Sequence, residues 1–400
     1  METNQTAVPG IQREFYLSIA AGVLFIAVNF IGLSLVPVYV LDLGYSDFLA
    51  GLQNTVFSVF CVAFRFILGP MADHKGRRLM MHIGAGSFVA GPLMMLVAGS
   101  LYPVILVARV IMAVGMASFL SAANCYVAES VPDSFLGTAI GIQRGLYSLS
   151  LMVAPALGLM LARSDAGYTG LFLAAAGLGL VSFLLVSLMR EHRPDCGDNQ
   201  SIGRSLRESG GLLTRPDMGR AYLALFSISV SYGAILSYAA IYLERFGSIG
   251  NPGVYFTFFA GSGLVGSVVA GILSDRFGRR RVAAPLMLSM AVGVALLYLV
   301  PVQPVLFMIL SGLLAGTSFT GAMAVLISWL LDMAPASLRG TAMGLQENSI
   351  DSGLAVGSLV FAVLTLGFTQ QMVFPMLGIL GILIPFRLKL KKVVSHPEQI

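Results

Sequence analysis

The sequence predicts an all-α polytopic membrane protein of twelve transmembrane helices, built as two similar six-helix bundles. Three observations carry that prediction. Hydrophobic residues make up 57% of the 400 and charged residues only 11%, where a soluble domain carries about 25% charged residues. Apolar runs long enough to cross a bilayer, about 20 residues each, follow one another along the chain. Two polar motifs recur at a single spacing of about two hundred residues.

In chain order the spans are expected near 15–41, 48–72, 79–99, 101–128, 136–161, 168–189, 219–243, 253–274, 282–300, 304–331, 340–366 and 371–387. The first, Phe15 to Leu41, exceeds the roughly 7–15 apolar residues of a signal peptide, and no A-x-A site closes it. The third and fourth are parted only by "GSLYP". Between the sixth and seventh lies the longest polar gap, with "RPDCGDNQSIGRSLRES" at its centre. The expected organisation is therefore a six-helix bundle over 1–189, a cytoplasmic linker over 190–218, and a second bundle with a cytoplasmic tail over 219–400.

Orientation follows from Lys and Arg in the gaps. Arg13, the 74–78 cluster, Arg190 to Arg220, Arg276 to Arg281, Arg339 and the tail from Arg387 to Lys392 fall on one side; only Arg163 and Arg245 fall on the other. Both termini are expected in the cytoplasm of a plasma (inner) membrane, which requires an even number of spans and fits twelve. The net charge of +5 sits in these gaps, not on one folded face, which argues against a nucleic-acid partner. The three cysteines and four histidines are scattered and form no metal or disulfide framework. "GSGLVG" at 261–266 fits a dinucleotide fingerprint in letters only: no strand precedes it and it lies inside an apolar span. No hydrolase or phosphate-loop signature is present. The reading is not an enzyme and no cofactor, with a proton gradient as the energy source and a monomer as the working unit.

The repeat is specific. Gly69, Asp73, Gly76, Arg77 and Arg78 match Gly271, Asp275, Gly278, Arg279 and Arg280 at an offset of 202. "PDSFLGTAIGIQ" from Pro132 matches "PASLRGTAMGLQ" from Pro335 at 203. Two independent matches at nearly one offset indicate duplicated halves, here parallel repeats about an axis along the membrane normal.

On these residues the chain resembles the major facilitator superfamily over essentially its whole length. The family signature between helices two and three reads roughly G-x-x-x-D-x-x-G-R-R. The resemblance implies that each motif aspartate faces the N-terminus of a helix in the opposite half, where free N–H groups favour an anion. That is the start of span eleven for Asp73 and of span five for Asp275. The arginines are expected to meet Glu129 and Asp332, forming a gate. Arg109 matches the family's helix-four arginine, which implies a part in proton coupling. Gly141, Pro155 and Gly158 match part of a helix-five motif of drug antiporters, which favours export.

Four ionisable residues fall well inside spans: Arg109, Arg144, Glu347 and Asp351. Each costs about 2.5–3.5 kcal/mol at a helix centre, so they are expected to face water, partners or substrate. Two positive and two negative groups allow mutual compensation. Arg144 and Glu347 are equivalent in the repeat. Asp351 lies one turn from Glu347 on the same face, and two carboxylates so close disfavour joint ionisation, which suits them to carry a proton. Arg65 is expected nearer the cytoplasmic end, snorkelling or joining the gate, and outside the substrate site. Further cavity candidates are Asn29, Gln53, Asn54, Asn124, Gln143, Tyr232, Tyr238, Tyr255, Trp329, Gln346 and Asn348.

The functional expectation is a proton-coupled secondary transporter that rocks its two bundles about a midplane site and exports a small amphipathic or zwitterionic solute. The alternatives are a proton symporter importing a sugar, organic acid or amino-acid derivative, and a non-transporting sensor on the same fold.

Overall fold

The computed structural model describes residues 13–45, 47–99, 101–191, 210–247, 254–335, 338–365 and 367–387. Twelve long helices occupy them. In the first half these are α1 (Arg13–Asp42), α2 (Asp47–Lys75), α3 (Arg77–Ala98), α4 (Tyr102–Glu129), α5 (Leu136–Ala162) and α6 (Gly167–Ser187). In the second they are α7 (Pro216–Gly247), α8 (Val254–Phe277), α9 (Arg279–Ala295), α10 (Pro304–Met333), α11 (Arg339–Leu364) and α12 (Gln370–Arg387). All twelve overlap the spans expected from hydropathy. Ten are long and apolar enough to cross a membrane; the others are α11, which carries Glu347 and Asp351, and the 18-residue α12. Most of the expected linker, from 192 to 209, lies outside the described residues, as does the tail beyond 387.

Helix boundaries follow local chemistry. Pro103 and Pro304 stand in the first turns of α4 and α10, where a missing N–H costs nothing. Single glycines part α2 from α3 and α8 from α9: Gly76 at φ 98° and Gly278 at φ 89°. Side chains with a Cβ rarely adopt that conformation, so the repeated glycine before each Arg-Arg pair is a backbone requirement.

The two halves pack alike. In the first, α1 packs on α5 and α6, α3 on α4 and α6, and α2 on α4. In the second the equivalent pairings recur: α7 on α11 and α12, α9 on α10 and α12, and α8 on α10. The halves meet along two seams, α2 with α11 and α5 with α8, which the repeat makes equivalent. At the end carrying the Arg-Arg motifs, the basic end, the contact is widest. There Phe15, Ile19, Val127, Leu136 and Ile140 join the apolar core of the second half, while a separate core fills the rest of the first.

Candidate functional site

At the basic end the seams are held by polar contacts with helix ends. The Asp275 carboxylate accepts from the backbone N–H groups of Gly137 (2.9 Å) and Thr138 (2.8 Å) and from the Thr138 hydroxyl (2.7 Å). It therefore caps the first turn of α5 in the opposite half, where free N–H groups and the helix dipole favour a negative charge. Arg279 braces it, donating to Asp275 Oδ1 at 2.5 Å and to Asp332 Oδ2 at 2.9 Å. In the first half Arg77 pairs with Glu129 at 3.2 Å, the repeat-equivalent of Arg279 with Asp332. Arg78 behaves differently from the gate expected for it. It donates to the carbonyls of Val186 (3.3 Å) and Ser187 (2.6 Å) at the end of α6, in its own half, where a cation satisfies exposed carbonyls. The side chain of Asp73 lies outside the described residues; Arg280 is half-buried after Gly278.

Close helix approach explains the remaining motif glycines. A Cβ on Gly69 would lie 3.3 Å from the Gly340 carbonyl and 3.6 Å from Gly344 Cα, on α11. A Cβ on Gly271 would collide with the Gly137 carbonyl of α5. These two crossings are equivalent in the repeat. In α5, Gly141 abuts the Ser267 carbonyl of α8, whereas Gly158 receives Leu35 and Leu171 of its own half and Pro155 is half-buried inside the helix. Only Gly141 of that motif touches the seam.

Above the basic end the seams carry charge. Arg144 of α5 donates to Glu347 Oε1 of α11 at 2.9 Å. Both side chains are almost fully buried, at 10% and 4% exposure. The partners are 203 positions apart and occupy the same place in their respective halves. Two equivalent residues can touch only near the axis relating the halves, so this pair marks that axis. Asn124 of α4 ties it together, accepting from Arg144 at 3.3 Å and donating to Glu347 and Gln346 at 3.4 Å each.

The second ion pair corrects a sequence expectation. Arg65 neither snorkels nor joins the gate: its guanidinium is 1% exposed and pairs with Asp351 across the α2–α11 seam. The reason is depth. Helix α2 continues to Lys75, which leaves Arg65 ten residues, about 15 Å, from the basic end. Asp351 is then level with it, one turn beyond Glu347 on α11. Among the described residues the membrane interior thus contains three arginines against two carboxylates, not the balanced four groups expected.

Arg109 is the unmatched one. It is fully buried, donates to Asn54 Oδ1 at 2.8 Å and lies 4.2 Å from the centroid of the Phe57 ring. Asn54 in turn donates to the Leu33 carbonyl at 3.0 Å. Asn54, Phe57, Cys61 and Arg65 recur at spacings of three and four on one face of α2, so that face joins the Arg109 region to the Arg65–Asp351 pair.

The other candidates divide in two. Asn29, Gln53, Gln346 and Asn348 are buried among the helices, and the Asn29 Oδ1, the Gln346 Nε2 and both amide atoms of Asn348 have no hydrogen-bond partner. Buried amides so placed favour a polar ligand or water, because an unmet polar group is costly away from solvent. Gln143 donates to the Tyr147 hydroxyl at 3.2 Å. The aromatic candidates pack within the second half. Tyr232 stacks on Phe319 (3.9 Å) and Phe259 (5.4 Å), Tyr238 on Phe361 (4.3 Å). The Tyr255 hydroxyl meets Ser311 Oγ at 3.3 Å, and Trp329 lies against the second-half core.

Comparison with known proteins agrees with this architecture. The Major Facilitator Superfamily model matches residues 17–251 and 246–399. A "Probable 4-methylmuconolactone transporter" of Cupriavidus pinatubonensis is 26% identical over 338 residues, 81% of this chain and 77% of that protein. "Multidrug resistance protein MdtG" of Citrobacter koseri is 26% identical over 356 residues, 84% of each. Among solved structures, the human organic anion transporter MFSD10 superposes with a TM-score of 0.81 at 16% identity, covering 95% of this chain and 100% of that one. The chain belongs to the Major Facilitator Superfamily: it is a multi-pass membrane transporter of small molecules and not an enzyme.

Proposed function

We propose that this chain is a proton-coupled secondary active transporter that exports a small amphipathic or zwitterionic solute by alternating access. One observation carries the reading: both carboxylates of α11, the buried Glu347 and the partly buried Asp351, are ion-paired to buried arginines of the opposite half. Protonating either leaves a buried arginine without its countercharge, and breaking a buried pair in this way costs about 3–5 kcal/mol. Protonation therefore weakens the bond between the halves at the place where they must part for the basic end to open. Asp351 and Glu347 are the proton carriers in this scheme, Arg65 and Arg144 their counter-ions. The basic loops support a cytoplasmic side for that end and for both termini, in a plasma membrane on this reading, and a monomer contains both carboxylates and both counter-ions.

Export is supported by the similarity to a multidrug resistance protein and by Gly141, Pro155 and Gly158 of α5. A second reading, proton symport of an organic acid, is favoured by the excess of buried arginines. Once Asp351 is protonated the interior is more positive and holds an anion more tightly, so that proton and anion would travel together. The relative named for 4-methylmuconolactone transport supports the same reading.

The test is proton flux in proteoliposomes, recorded with a pH-sensitive dye while antibiotics, dyes and small carboxylates are applied under pH gradients of either polarity. Solute-driven proton movement is expected, and its loss in Asp351→Asn. The sign of the gradient that drives accumulation separates export from import. Solute flux that continues unchanged in Asp351→Asn and Glu347→Gln without moving protons would overturn the coupling. A solute response with no flux in the wild type would indicate a sensor.

A further inference from the structure

Resting on the proton-coupled reading, and holding for either direction of transport, we propose that the solute carries a carboxylate and that Arg109 binds it. Arg65 and Arg144 each face a carboxylate. Arg109 faces none among the described residues, although it is 0% exposed. Its neighbours are an amide oxygen, an aromatic ring and a thioether. A guanidinium stays ionised in proteins, so the buried interior carries one uncompensated positive charge. A cation in that setting is retained for a purpose more often than for stability.

The geometry says what the missing partner is. Arg109 Nη2 is engaged by Asn54, but Nε has no acceptor. Nη1 has only the Met112 sulfur at 3.8 Å, and sulfur is a weak acceptor. Asn54 takes one Nη2 hydrogen; the other shares an edge of the guanidinium plane with a free donor, Nε–H or Nη1–H, and that fork matches the two oxygens of a carboxylate. One negative charge neutralises the surplus; a dianion would overshoot it. The fork also has room made for it. Nη1 lies against the backbone of α1 at Gly32, where a Cβ would stand 2.8 Å away. Helices α1, α2 and α4 of the first half converge there.

Position supports a binding role distinct from proton transfer. Along α2, Asn54 is eleven residues, about 16 Å, from Arg65, toward the end opposite the basic one. Arg109 thus stands on the far side of the Arg65–Asp351 pair from the closed basic end. A solute anchored there by its carboxylate would approach the coupling pair along the α2 face that carries Phe57 and Cys61.

The test uses the full-length protein in detergent or nanodiscs, at matched ionic strength with no proton gradient. Its melting temperature is measured with sodium benzoate and phenylacetate, and with benzamide and benzylammonium as neutral and cationic counterparts. The carboxylates are expected to raise the melting temperature by several degrees and the counterparts to leave it unchanged. Arg109→Met should abolish that rise while melting, without ligand, at or above the wild type, because it removes an unpaired buried charge. Should Arg109→Met fail to fold, Arg109→Lys decides: carboxylate affinity at least tenfold weaker supports the assignment, and unchanged affinity overturns it. Absence of a carboxylate-selective rise in the wild type, or a rise that survives in Arg109→Met, also overturns it. Coupling is judged separately, by proton flux in Asp351→Asn, so either reading can fail alone.

Discussion

If Arg144 and Glu347 hold the halves together at their axis, removing one partner must cost far more than removing both. Each is nearly buried and the bond is 2.9 Å. Breaking a buried pair by removing one side costs about 3–5 kcal/mol, whereas replacing both by apolar groups of similar size is near neutral or stabilising. For a chain of 400 residues, an unfolding entropy of about 2.1 cal/mol/K per residue sums to about 0.84 kcal/mol/K. The cost then corresponds to a fall in melting temperature of about 4–6 °C. The perturbations are Arg144→Met, Glu347→Met and the double variant, each in the same detergent, with tertiary unfolding followed by a buried-thiol dye. The buried thiols of Cys61 and Cys125 report it. Each single variant is expected to melt about 4–6 °C lower, and the double variant to return to within about 2 °C of wild type. Asn124, which bonds both partners, prevents full recovery. Additive losses in the double variant would refute the reasoning, because they would mean that the two side chains contribute independently.

Two further outcomes follow from the basic end. Asp275→Asn removes the charge that caps α5, a loss of about 1–2 kcal/mol, and should speed alkylation of an Ala139→Cys reporter in a cysteine-free background; unchanged labelling would contradict the capping role. Gly271→Ala forces a Cβ into the Gly137 carbonyl, and overpacking of this kind costs about 1–3 kcal/mol, so the variant should melt about 1–4 °C lower and transport more slowly, an unaltered melting temperature being the contrary result.

Much of this was legible in the sequence, and the exceptions share a cause. Twelve helices follow from apolar run length, because a bilayer fixes the scale of each span. The Asp275 cap and the Arg77–Glu129 and Arg279–Asp332 pairs lie where the repeated motif points, because a fixed glycine-to-aspartate spacing constrains the backbone and the ion together. Arg65 is an exception because residue counting gives depth and not neighbours. Its partner is 286 positions away, and ending the span at 72 placed Arg65 too near the surface. Tyr232 and Tyr255 stand out as polar groups in apolar runs, but a tyrosine can bury its ring against other aromatics and meet its hydroxyl locally: Tyr232 stacks on Phe319 and Phe259, and the Tyr255 hydroxyl meets Ser311. Arg78 shared its motif position with a gate arginine, yet one residue along a helix turns a side chain by about 100°, enough to aim it at α6.

The seams show where duplication was kept and where it was broken. Gly69 on α11 and Gly271 on α5 are the same contact made twice, and so are Arg77 with Glu129 and Arg279 with Asp332. These shared features fix helix spacing and close the basic end, tasks that a rocking pair of bundles needs on both sides. The charges deeper in the membrane are not shared. The repeat partner of Arg65 is Ser267, and that of Asp351 is Ser148. Where α2 and α11 carry an ion pair, α5 and α8 therefore have two hydroxyls, and Gly145 brings its backbone close to the Ser267 hydroxyl and the Leu264 carbonyl. At the axis itself, where one residue type in both halves would set like charges against each other, the halves differ in sign, Arg144 against Glu347. A symmetric scaffold can rock without a preferred trigger; protonation can act as one only where the two seams respond unequally. The broken positions supply that inequality, with the titratable bond on the α2–α11 side and uncharged close packing on the α5–α8 side.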